Sequence, residues 1–236
     1  MKHLAAILFT VTALVLPANS EMINAEQIVR VDGVEHPLKF VADQNGHPDM
    51  VPLAYRMRDS YFRFYPSIIG WLGVSPDGTP REIIVTFSSD LKHPARAVGN
   101  RIEVSVTHLR RDPSEAEGLF VHELSHLIQA YKPGAPSWFT EGSADYVRFK
   151  AFPTSPWAQE SRKHQTAKDQ PFGHYWKSAA FLLWMEETHR ETIIREISVH
   201  CRNGTYRPAL WQELTGSDLD TLAAQYAESV WQPPLK

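Results

Sequence analysis

Residues 27–31 alternate polar and apolar positions, the pair Asp32-Gly33 follows, and a second apolar run occupies Leu38 to Ala42. Alternation broken by a turn pair predicts a β-hairpin. From Asp49 to Ile69, Leu53, Met57, Tyr61, Phe62 and Tyr65 recur at helical spacing, and Ser75 to Pro80 reads as a turn. Glu82 to Phe87 is rich in β-branched residues and predicts a buried strand. Arg101 to Thr107 alternates, which predicts a half-exposed one.

From Ser114 the periodicity turns helical and stays so. Ser114 and Glu117 have the spacing of a capping box, opening a helix to about Tyr131. Pro133-Gly134-Ala135-Pro136 breaks it, and a second helix starts near Ser137. Further helical patterns cover about 174–189, 191–200 and 218–230, with Ser217 placed as the N-cap of the last. The expectation is one α+β unit over 21–236, with a β-containing front to about residue 113 and a helical back from about 114.

Composition narrows this picture. The chain has 236 residues, a formal charge of −3 and seven Trp, enough apolar surface to exclude disorder as the main state. Its near-neutral balance argues against a basic nucleic-acid surface. The first twenty residues read as a secretory signal peptide: Lys2, an uncharged run from Leu4 to Leu16, and small residues before a cut after Ser20. No other stretch is apolar enough to span a membrane. Export to the periplasm or the medium follows as an expectation. With Cys201 as the only cysteine, an internal disulfide is excluded. The fold must stand on packing, or on packing and a bound ion.

Chemistry concentrates at His122-Glu123-Leu124-Ser125-His126. Histidines four apart share one helix face, so both imidazoles reach a single Zn²⁺. Glu123, turned about 100° from His122, lies beside the ion and is placed to move a proton. Phe120, Leu124, Leu127 and Tyr131 give the helix an apolar side. A third ligand is offered by Glu141, fifteen residues beyond His126 across the Pro/Gly break. Asp145, one turn further, is placed to accept the second N–H of a ligating histidine.

These residues carry a resemblance. Phe120 to Gln129, Pro136-Ser137-Trp138, and Glu141-Gly142 with Ala144-Asp145-Tyr146-Val147-Arg148 resemble the plant and bacterial basic secretory protein family of metallopeptidases. That family belongs with the gluzincins, zinc peptidases that use His-Glu-x-x-His and a downstream Glu. Ala97 to Ser105, Tyr175 to Leu182 and Leu214 to Tyr226 extend the likeness, which spans roughly Val85 to Val230. The chain's pI near 6.4 departs from the "basic" of the family name.

The resemblance implies a zincin-like α+β fold: a mixed sheet, an active-site helix beneath it and a mostly helical C-terminal lobe. It implies that Ile102 to Val106 is the edge strand along the cleft, where an extended peptide adds by main-chain hydrogen bonds. It also implies a mechanism. Zinc is held by His122, His126 and Glu141, Glu123 is the general base and acid, and Tyr175 stabilises the oxyanion. His174, beside Tyr175, is the alternative for that last role.

The implied partner is a peptide or protein substrate. The same residues also fit a zinc hydrolase of another amide or ester, or a noncatalytic binding protein on a zincin scaffold. The other histidines (His36, His47, His93, His108, His164, His189, His200) lack ligand spacing. Trp157, Trp176, Trp184, Trp211 and Trp231 read as core and lobe packing.

Overall fold

The computed structural model describes residues 22–163, 172–173 and 175–230. The expected leader, His164, His174 and Trp231 lie outside them. Two strands open the chain, β1 (Ile23–Val31) and β2 (Val34–Asp43), paired antiparallel as the alternation predicts. Asp32 and Gly33 both take positive φ, 51° and 81°, the backbone that a two-residue hairpin turn needs.

Helix α1 (Val51–Leu72) then crosses over to β3 (Glu82–Ser88), which pairs parallel with β2. Next come β4 (Ala95–Val98) and β5 (Arg101–Ser105), a hairpin turned at Gly99, whose φ is 66°. Strand β5 pairs parallel with β3, so the five-stranded sheet runs β1-β2-β3-β5-β4. Ile102 to Ser105 is therefore an inner strand, not the expected edge. The Gly99-Asn100 turn folds β4 back along the outer side of β5, and β4 takes the rim. Val106, the last residue of the expected strand, already belongs to α2 (Val106–Arg111), whose Ser105 cap accepts a hydrogen bond from the His108 N–H.

One sheet face is apolar and buried. Phe40 on β2 lies between Tyr61 of α1, at 6.4 Å between ring centroids, and Phe120 of α3 (Ala116–Gln129), at 6.0 Å. All three rings are fully buried, so one aromatic contact joins sheet, crossover helix and the helix bearing the His-Glu-x-x-His run.

Helix α3 is more deeply embedded than a one-sided helix. Leu119 through Ser125 and Leu127 through Gln129 are all buried. Its start is not the expected capping box. Asp112 accepts from the N–H of Ser114 at 3.1 Å, closing a 3₁₀ turn over Pro113–Glu115, and Glu117 instead pairs with Arg56 of α1 at 2.5 Å. The end of α3 is held from afar. Arg202 of α7 (Ile193–Asn203) donates to the carbonyls of Ile128 at 2.7 Å, Gln129 at 3.1 Å and Gly78 at 2.8 Å. A cation on a helix C-terminus satisfies orphan carbonyls and opposes the helix dipole. Arg202→Met is expected to lower stability by about 1–3 kcal/mol, read as a shift in the urea midpoint, because three carbonyls lose a charged donor.

After the Pro/Gly break comes α4 (Ser137–Ala151), followed by α5 (Pro156–Lys163), α6 (Tyr175–Thr188), α7, α8 (Ala209–Thr215) and α9 (Leu219–Val230). Asp218, whose carboxylate accepts from the Thr221 N–H at 2.8 Å, takes the capping role expected of Ser217. Trp138, Phe181 and Trp211 form the aromatic heart of this half. Trp184 joins it, and Trp176 packs against the core while also lining a cleft, which it shares with the exposed Trp157. Helices α4 and α6 meet at Gly142, where a Cβ would stand 2.5 Å from Cβ of Ser178. That close approach, available only to glycine, draws the start of α6 toward the residue beside Gly142, which is Glu141.

Candidate metal centre

Helix α3 stacks His122 and His126 one turn apart, with ring centroids separated by 4.8 Å. Their Nε2 atoms converge to 3.2 Å. Helix α4 brings Glu141 to the same point, its Oε2 lying 3.4 Å from Nε2 of His122 and 3.3 Å from Nε2 of His126. Ligand atoms held about 2.0–2.1 Å from one tetrahedral ion stand roughly 3.3–3.4 Å apart. The observed edges of 3.2, 3.3 and 3.4 Å match to within about 0.1 Å, so the donor set fits a zinc ion with a fourth position open. Among the described residues it is the only group of three or more His, Cys, Asp or Glu side chains so arranged.

The far nitrogens are fixed as well. His122 Nδ1 donates to Oδ1 of Asp145 at 2.8 Å, as the spacing of Asp145 suggests. His126 Nδ1 lies 3.0 Å from Oε1 of Gln129, whose amide donates to the Thr140 carbonyl at 3.0 Å and the Ser143 hydroxyl at 2.8 Å. Since the amide nitrogen of Gln129 is committed to those acceptors, its oxygen faces His126 and accepts. Both histidines therefore turn an unprotonated Nε2 toward the centre when neutral. Gln129 has no role in the sequence reading, although it follows His126 by three and so shares its helix face.

The charges around this point call for a cation. Burial pulls His122 down, but hydrogen bonds to Asp145 and Glu141 outweigh it and bring its pKa to about 10. Burial raises Glu141, and the two histidines more than reverse it, to about 2. With protein groups alone, a proton on His122 does what a metal would do for the carboxylates.

Glu123 points into the cleft and is only 7% exposed. It accepts no hydrogen bond from the described residues. Burial is the largest influence on its carboxyl and pushes the pKa up, against the pull of the two histidines. Tyr175 opens α6 and remains half exposed, its ring centroid 6.1 Å from that of His122. The Glu141 charge, then burial, raises its pKa, so the hydroxyl stays a donor.

These groups share a cleft of about 720 Å³. Strand β4, with His93 and Pro94 before it, forms one wall, α2 contributes His108 and Arg111, and Trp157 and Trp176 close the other side. His93 and His108 thus reach the cleft without joining the ligand set.

A family model described as "Peptidase of plants and bacteria" (BSP) matches residues 79–226, which include every residue of this site. No curated protein matches the chain. Among solved structures, a mutant M1 zinc metallopeptidase from Deinococcus radiodurans matches with a TM-score of 0.59 at 13% identity. A second structure of that M1 enzyme gives 0.57 at 14%. A third, of the mutant bound to a Tyr-Ser-Ala substrate, gives 0.54 at 14%. Each match covers 91% of this chain and 53% of the other, so the chain spans about half the length of that peptidase. At such identity the likeness is one of fold: the zincin-like α+β arrangement expected from the sequence.

Proposed function

The chain belongs to the family of peptidases of plants and bacteria, and on that premise we propose that it is an exported, zinc-dependent peptidase of the gluzincin type. The observation that carries the proposal is the triangle of His122 Nε2, His126 Nε2 and Glu141 Oε2, with edges of 3.2–3.4 Å. Zinc is favoured by that His₂Glu donor set and by the M1 zinc metallopeptidase of the same fold. When bound there, zinc supplies Lewis acidity, lowering the pKa of water and polarising a scissile carbonyl.

The chain's own residues do the rest. An extended peptide lies along the exposed edge of β4, where Ala95 and Ala97 leave room for it. Glu123 takes the proton of the attacking water and returns it to the leaving nitrogen, a shuttle that suits a carboxyl whose pKa burial raises above the ordinary carboxylate range. Tyr175 donates its hydroxyl proton in a hydrogen bond to the oxygen of the tetrahedral intermediate. Asp145 and Gln129 hold the two imidazoles in the ligating tautomer. Export rests on the signal-like segment ending at Ser20.

Metal analysis combined with a peptide-library cleavage assay tests the proposal. The purified chain is expected to carry about one zinc, to cleave peptides, to lose cleavage with a chelator and to regain it with added zinc. A chain that carries no zinc and ignores the chelator would overturn it.

A further inference from the structure

We propose that Arg148 is a positioning residue for the metal centre, acting through Asp145 on His122; the inference rests on the zinc reading above. Arg148 follows Asp145 by three positions on α4, and the two lie on one helix face with Glu141. Its Nη2 donates to Oε2 of Glu115 at 2.6 Å, at the start of α3, and its Nη1 stands 3.8 Å from Oδ1 of Asp145. That same Oδ1 accepts from His122 Nδ1 at 2.8 Å. One guanidinium therefore bridges the carboxylate of Glu115, the residue just before α3, to the carboxylate that orients a proposed ligand on α3.

The surroundings are built for it. The side chains of Arg148, Glu115 and Asp145 are 13%, 15% and 8% exposed, so the charges interact with little solvent screening. Gly118 has no side chain where one would press on the guanidinium: a Cβ there would lie 2.8 Å from Nε of Arg148. Trp157 covers the guanidinium, with its ring centroid 6.0 Å from Cζ. The Arg148 cation beside that shared Oδ1, on a side chain itself anchored by Glu115, keeps the Asp145 carboxylate in one position, so that Oδ1 stays aimed at Nδ1 of His122 and Nε2 stays turned toward the ligand site. Bridging carboxylates on two helices calls for the planar fork of Arg rather than the point charge of Lys.

The test is the zinc dissociation constant of the folded protein, measured by competition with a chromophoric chelator, in a double-mutant cycle. Arg148→Met and Asp145→Asn are each expected to weaken zinc binding by about 10-fold or more. The double variant is expected to bind within about twofold of Asp145→Asn alone, because Arg148 has nothing left to act through. Arg148→Lys, which returns a charge beside Asp145, is expected to bind more tightly than Arg148→Met. If Arg148→Met fails to fold for want of a partner for Glu115, Glu115→Gln/Arg148→Met removes that stranded charge and carries the same expectation.

Additive losses in the cycle would overturn the inference. So would wild-type zinc affinity in Arg148→Met with only a lowered melting temperature, the mark of a purely structural ion pair. Tight wild-type zinc binding beside such a result would leave the zinc reading standing. A wild-type chain that takes up no zinc would instead remove that reading, and this inference with it.

Discussion

Glu123→Gln is expected to keep its zinc and to lose peptide hydrolysis by about 10²–10⁴-fold in kcat, the usual worth of a positioned general base. The substitution keeps the shape of the side chain and removes its ability to take a proton. Glu123 is suited to this test because its carboxylate accepts no hydrogen bond from the described residues, so the amide breaks no network that holds α3. It is also distinct from the triangle of His122, His126 and Glu141, so the ligand set is untouched. Zinc content by elemental analysis and kcat on a cleaved library peptide, measured on one preparation, separate the two effects. Wild-type turnover in the variant would rule out Glu123 as the base. Loss of zinc together with activity would reassign it to the metal.

Features whose cause is local were readable from the chain. The first hairpin is encoded by Asp32-Gly33, whose positive φ values suit a tight turn, and the i, i+4 histidines meet because α-helical geometry makes them meet. Glu141 and Asp145 were legible for the same reason, once placed on a helix beyond the Pro/Gly break. What escaped was set by distant partners. Ser114 and Glu117 have capping-box spacing, but Asp112 engages Ser114 and Arg56 of α1 takes Glu117, so the box never closes. The edge strand was misplaced because β4 is four residues long, too short to show a period, and only the Gly99 turn lays it outside β5. Helix α2 was hidden because Val106 continues the alternation of β5 before Ser105 caps a new helix. Gln129 and Arg148 were visible as residue types at helical offsets. Their roles appear only when α4 packs on α3, which brings Thr140 and Ser143 within reach of Gln129 and sets Glu115 and His122 against Arg148 and Asp145.

Removing zinc is expected to lower the melting temperature as well as abolish activity, and the gap is expected to widen from pH 6 to pH 9. The chain has a single, buried cysteine and so no internal disulfide. The proposed ligand set joins two residues of α3 to one of α4, and three carboxylates, Glu123, Glu141 and Asp145, crowd around it. An ion bound only by the folded state adds about 4 kcal/mol when its free concentration is a thousand times the dissociation constant. At about 2–4 °C per kcal/mol for a chain of this size, that is roughly 8–16 °C.

The pH sense follows from His122. Its pKa in the zinc-free fold is held at about 10, above the ordinary 6.5. The stability this contributes is complete below about pH 6.5 and is lost as pH rises through about 10. The zinc-free protein therefore weakens toward pH 9. Zinc uptake requires His122 to release that proton, so affinity falls by about tenfold per pH unit on the acid side. The two are one linked proton seen from the unfolded and from the zinc-bound state, and its release enlarges the stabilisation by zinc as pH rises. Differential scanning calorimetry with zinc and with chelator, across that range, measures it. Equal melting temperatures in the two states at pH 9 would show that the ion plays no part in holding α3 to α4, and Gln129, Arg148 and the core would then have to do so alone.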